Sequence, residues 1–152
     1  MTIAQILFSF SGRINRAKYW LTVLLTIAVM LALIFVVVLA APPTAEVFGR
    51  PFLLPLLMLL YIPMLWIALA VGVKRLHDRN KSGWWLLFFY LVPAVLQGIG
   101  DLLEAPLSLV LYLPAFAIGI WCLIELGFLR GTDGPNQYGP DPLQSASATQ
   151  PA

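Results

Sequence analysis

Charge is scarce in this sequence. Asp, Glu, Lys and Arg make up 11% of its 152 residues, under half the roughly 25% of ordinary soluble domains. Whole stretches carry none: Tyr19 to Ala41 runs 23 residues, Phe52 to Val73 runs 22 and Trp84 to Gly100 runs 17 without a charged side chain. Cysteine is nearly missing too. Cys122 stands alone inside an apolar run, which excludes a disulfide framework or a paired-cysteine metal site and leaves a small apolar filler. Histidine is limited to His77; with no second His or Cys at ligand spacing, no metal site and no cofactor is expected. No serine stands in a nucleophile elbow and no glycine-rich loop is set to cradle a phosphate. These gaps count against an enzyme.

What is present is hydrocarbon. The apolar fraction is 61%, above the roughly 45–50% of soluble domains, and a chain this short has no interior large enough to hide it. A lipid bilayer is therefore the expected solvent for an all-α, integral membrane four-helix bundle. A membrane helix needs about 20 apolar residues, which sets spans at about 19–41, 52–73, 84–100 and 106–126 in one domain covering 1–142. Residues 143–152 read as a disordered Ser/Ala/Gln tail. The third span is short, roughly 26 Å at 1.5 Å per residue. The first is read as retained, because its apolar run far exceeds the roughly 7–15 residues of a cleavable signal core. Ahead of it, Ile3, Ile6, Leu7 and Phe10 fall at helical spacing on one face, predicting a short interfacial helix. Ser11-Gly12 ends it, and Tyr19-Trp20 suits headgroup level.

Four spans put both termini on one side, with the turn Lys74 to Gly83. That side receives eight of the nine Lys and Arg, and the other only Arg50. The positive-inside rule makes the basic side cytoplasmic. Pro63, Pro93 and Pro114 lie near mid-span, as kinks in a packed bundle or as breaks lining a transport site. Ala68 and Gly72, Ala94 and Gly98, and Ala115 and Gly119 offer close approach between helices. Charge inside a span is the usual mark of ion coupling; here the candidate polar groups are Gln97, a neutral amide towards the outer end of span three, and Glu125 towards the inner end of span four.

Three phrases sit at span edges: Gly12-Arg13-Ile14-Asn15-Arg16 before Tyr19-Trp20; Arg75-Leu76-His77-Asp78 before Ser82-Gly83-Trp84-Trp85; and Gly134-Pro135-Asn136-Gln137-Tyr138-Gly139-Pro140-Asp141-Pro142. In this order they resemble a bacterial inner-membrane family known only as domain-of-unknown-function family 805, over roughly residues 8 to 142. The resemblance implies a small cytoplasmic-membrane protein and supplies no reaction. Within the chain, Gly72-x-x-Arg75-x-x-Asp78 is echoed by Gly127-x-x-Arg130-x-x-Asp133, suggesting two degenerate helix-pair repeats.

All three phrases fall on the cytoplasmic side, so Arg13, Arg16, Arg75, His77, Asp78, Trp84, Asn136, Tyr138 and Asp141 are expected to gather in a polar cap. Arg75 and Asp78, at i and i+3 of a helix continued past Val73, share a face and can pair. The cap then reads either as a clasp, with Asp78 and Asp141 pinning arginines, or as a site for an anionic group such as a lipid phosphate. His77 reads as a hydrogen-bonded loop residue or a pH sensor. The function expected is that of a non-enzymatic membrane component binding anionic lipid headgroups or a partner protein, itself or another, and not nucleic acid. A small transporter or channel subunit is the alternative, and a membrane-embedded enzyme the third reading.

Overall fold

The computed structural model describes residues 1–40 and 53–144. The expected loop at 42–51, the adjoining ends of the first two spans and the tail from residue 145 lie outside the described residues. The helices are α1 (Ile3–Phe8), α2 (Arg16–Ala40), α3 (Leu53–Asp78), α4 (Trp85–Gly100) and α5 (Leu107–Leu123), the last continued by a π-helical turn, Ile124–Phe128. The fold is an all-α membrane bundle. Helices α2, α3 and α5 with its π turn are long and apolar enough to cross a bilayer. Helix α4 is the shorter apolar member, at 16 residues.

Local chemistry sets where the helices begin and end. Thr2 and Gln5 form a reciprocal capping box on α1, and the Asn15 side chain accepts from Lys18 N–H at 2.9 Å to start α2. Helix α3 runs five residues past the expected span end at Val73. Asn80, at φ 56°, ends it: Lys81 N–H reaches Leu76 O and Asn80 N–H reaches His77 O, the bond pair of a helix closed by a left-handed residue. The polar stretch expected as a turn is therefore half helix. Helices α3, α4 and α5 run unbroken through Pro63, Pro93 and Pro114, as kinked packing rather than broken helices requires.

The core lies near the polar end, where Leu76, Leu86, Phe89 and Leu126 are buried together and Trp85, Phe88, Phe89 and Trp121 pack edge to face around them. Of the small residues marked for close approach, Gly72 is used: a Cβ there would meet Leu86 at 3.0 Å, whereas Gly98 and Gly119 face open space. Close approach between α4 and α5 comes instead at Gly100, where a Cβ would meet the Tyr112 ring at 2.6 Å. The Tyr112 hydroxyl donates to Asp101 at 2.6 Å.

Helix α1 stops at Phe8, so Phe10 lies beyond it and packs edge-on against Trp66 of α3 at 5.1 Å. Lys74 fixes this segment to α3. Its ammonium is fully buried and donates to the carbonyls of Gln5 (2.8 Å), Ile6 (2.5 Å) and Ser9 (2.5 Å). A cation belongs there, because the last carbonyls of a helix lack partners and carry its negative dipole end. Lys74→Met should keep the apolar stem and lose the donors. Amide exchange in residues 3–8 should then speed up while α4 and α5 stay protected. Unchanged exchange in α1 would show that other contacts hold it.

Candidate functional site, a polar cap at one end of the bundle

The cap is built around the final turn of α3. Asp78, 3% exposed, takes Arg13 Nε at 3.2 Å on one oxygen and Arg75 Nη1 at 2.5 Å on the other. The i, i+3 pair expected from spacing forms, and an arginine 65 residues away shares it. Every nitrogen of both guanidinium groups is engaged. Arg13 gives Nη1 to Gly134 O (2.7 Å) and Gly139 O (3.2 Å), and Nη2 to Thr132 O (2.6 Å) and Oγ1 (3.2 Å). Arg75 gives Nε to Leu126 O (2.8 Å) and Nη2 to Leu129 O. Two buried cations thus share one carboxylate, and the excess charge rests on carbonyl oxygens.

The carbonyls that Arg75 takes come from the end of α5 and its π turn, and those that Arg13 takes come from the segment beyond it. Successive oxygens of residues 126 to 130 each accept from a side-chain donor of another element: Leu126 and Leu129 from Arg75, Gly127 from Trp20 Nε1 (3.0 Å), Phe128 from Arg16 Nη1 (3.0 Å) and Arg130 from Arg79 Nη1 (2.6 Å). The four orphan carbonyls of a helix end usually go to water or a glycine cap. Here α2, α3 and Arg79 just past the end of α3 supply the donors, so the end of α5 is tied to both helices. Glu125, 2% exposed, adds a second ion cluster with Arg79 Nε (3.1 Å) and Lys81 Nζ (2.9 Å). Lys81 also stands over the Trp85 ring at 5.4 Å.

The C-terminal phrase closes over this base. Asn136 donates to His77 O (2.9 Å) and Thr132 Oγ1 (3.0 Å) and accepts from Tyr138 N–H (2.9 Å). This turn lays the Tyr138 ring flat on His77, centroids 3.8 Å apart and 3° from parallel. His77 Nδ1 lies 3.3 Å from Gly12 O. Asp141 accepts from the N–H groups of Gly134 (3.1 Å) and Leu143 (2.9 Å). The Leu143 N–H, opposed by burial and helped by the Gly134 N–H and the Arg13 charge, holds its carboxyl below the usual aspartate range. Its hold on the tail is therefore present above that range and lost only as pH falls through the lowered value.

Of the nine residues expected in the cap, Arg13, Arg75, Asp78, His77, Asn136, Tyr138 and Asp141 meet in this network. Arg16 lies on its exposed edge. Trp84 is 76% exposed and stands outside it. Lys74, Thr132, Arg79 and Glu125 belong to the cap and were not singled out for it by sequence. Glu125 had a legible signal, as an acid inside an apolar run; Thr132 had none. The repeat suggested by Arg75-x-x-Asp78 and Arg130-x-x-Asp133 yields two ion pairs of different kinds. The second spans 3.2 Å and is largely exposed, 69% and 78%, beyond the end of α5. The helix pairs also pack differently, α4 closely on α5 but α2 apart from α3 across apolar gaps.

Beside the clasp is a cavity of about 260 Å³ lined by Asn15, Arg16, Arg130, Thr132, Asp133 and Asp141, among others. Among the described residues no group of three His, Cys, Asp or Glu is placed to hold a metal ion. All eight described Lys and Arg, and four of the six described acids, sit at this end, a balance of +4; Asp101 and Glu104 sit at the other.

Comparison with known proteins places this architecture. A family described as "Protein of unknown function (DUF805)" matches residues 7–140. The chain is 36% identical to the uncharacterized protein YiiR of Escherichia coli K12 over 143 residues, 93% of this chain and 90% of that one. It is 32% identical to the inner membrane protein YhaI of the same strain, over 88% of this chain and 85% of the other. The figures for the inner membrane protein YhaH are 29%, 88% and 86%. No solved structure matches significantly.

Proposed function

The chain belongs to the DUF805 family, and on that footing we propose that it is a multi-pass component of the bacterial inner membrane, with both termini and the cap in the cytoplasm, that holds anionic lipid headgroups on the cap's outer edge. The observation that carries this is a division of labour among the cations. Arg13 and Arg75 are buried and spent on Asp78 and carbonyls, so they act as the clasp. Arg16, Lys18 and Arg130 are exposed around it, and the Trp84 ring stands out at the same end, where an aromatic suits headgroup level. A basic rim beside an anionic leaflet gains about 1 kcal/mol per Lys or Arg, less after screening.

The transport alternative draws less support. Glu125, buried in the π turn that continues α5, is neutralised by Arg79 and Lys81, and the three proline-bearing helices are continuous. Protein purified with its native lipids should be enriched in anionic over zwitterionic phospholipid. The triple variant Arg16→Gln, Lys18→Gln, Arg130→Gln should lower that anionic share. An unchanged share would overturn the headgroup reading, and a C-terminal reporter active only outside the cytoplasm would overturn the orientation.

A further inference from the structure

The geometry points to a binding slot for one acyl chain of a membrane phospholipid, in the groove where α1, α2 and α3 meet. The groove encloses about 310 Å³. Its α2 wall is Leu21, Leu25 and Val29, with Thr22 and Thr26 beside them, and Met64 and Ile67 of α3 form its floor. Helix α1, held in place by Lys74, supplies the remaining side.

Three features select hydrocarbon as the occupant. The two threonines on the wall spend their hydroxyl protons on carbonyls four residues back, Thr22 on Lys18 O and Thr26 on Thr22 O, both at 2.8 Å. Neither hydroxyl proton is then left for a ligand, and a peptide laid there would leave its backbone amides without partners. The second feature is charge. Positions 18, 21, 22, 25, 26 and 29 share one face of α2, so the exposed Lys18 heads this face at the cap end, placed for a phosphate. The third is length: from Lys18 to Val29 the face spans about 16 Å at 1.5 Å per residue, close to half of the roughly 30 Å hydrocarbon core. One chain of the cap-side leaflet fits that depth.

This rests on the reading that the cap lies at headgroup level, and the test separates the two. Phospholipid retained per chain is counted by native mass spectrometry after detergent purification. Ile67→Trp, and separately Met64→Trp, should fill the floor and lose most of the tightly held phospholipid. Leu24→Trp, on the exposed side of α2 outside the groove, should retain it. If both floor variants keep their lipid while the triple charge variant lowers the anionic share, the acyl slot is wrong and the headgroup reading stands. If the floor variants lose lipid and the charge variant does not shift the anionic share, the slot stands and the headgroup reading falls. Retention in all variants overturns the slot, and loss in Leu24→Trp as large as in the floor variants overturns it as well.

Discussion

Asp78→Ala is expected to destabilise the protein by about 3–5 kcal/mol, the range found when one partner of a buried ion pair is removed. The reason is the count of charges. Arg13 and Arg75 are buried and share this single carboxylate, so its loss leaves two guanidinium groups facing uncharged oxygens and a new cavity. For a chain of this size that corresponds to a fall in melting temperature of about 6–20 °C. Asp133→Ala makes the comparison, since its pair with Arg130 is exposed and is worth at most about 1 kcal/mol. Adding Arg13→Met to Asp78→Ala should cost less than the sum of the single changes, because each removes the other's uncompensated charge. A melting temperature within about a degree of wild type for Asp78→Ala would mean that carbonyl dipoles alone hold both arginines.

The long apolar helices were readable from the sequence because lipid imposes a crude and strong constraint: long uncharged runs must be helices there. The Arg75–Asp78 pair was readable for the same kind of reason, since helical spacing alone brings i and i+3 together. The extent of α3 was not. A string such as Lys74-Arg75 after an apolar run reads as the water boundary, and it takes the carbonyls at the ends of α1 and α5 to keep both cations buried in a continuing helix. Those acceptors are backbone atoms, which no pattern of side chains announces. Trp84 illustrates the converse. Its phrase marks the family, yet the residue is exposed outside the cap network, while Thr132, in no phrase, contributes oxygens to Arg13 and a hydroxyl to Asp78 O. Pairing across elements decides such roles, and one-dimensional spacing does not encode it.

Gly131→Ala should be the most damaging glycine substitution in the cap, although glycine to alanine is ordinarily mild. A Cβ at residue 131 would be driven onto the Asp78 carboxylate, with Cγ 2.5 Å away and Oδ1 2.9 Å away. The carboxylate is not a free end that can swing aside, because Arg13 and Arg75 grip its two oxygens. If it retreats, those bonds lengthen. If the chain lifts instead, the Leu129 carbonyl leaves Arg75, Thr132 N–H leaves Asp78 O (2.8 Å) and Thr132 O leaves Arg13 (2.6 Å). Either way a cluster of charge-assisted bonds is strained by one methyl group, and overpacking of that kind costs about 1–3 kcal/mol or more. Two other glycines separate this mechanism from a general intolerance. Gly134 has open space but a φ of 74°, so Gly134→Ala should lose about 1 kcal/mol from backbone strain alone. Gly98 lies inside α4 facing open space, so Gly98→Ala should gain roughly 0.5–1 kcal/mol. The expected order of melting temperatures is therefore Gly98→Ala above wild type, then Gly134→Ala, then Gly131→Ala lowest. If Gly131→Ala melts with wild type, the segment after α5 has room to move off Asp78, and the carboxylate is not clamped as its bond lengths indicate.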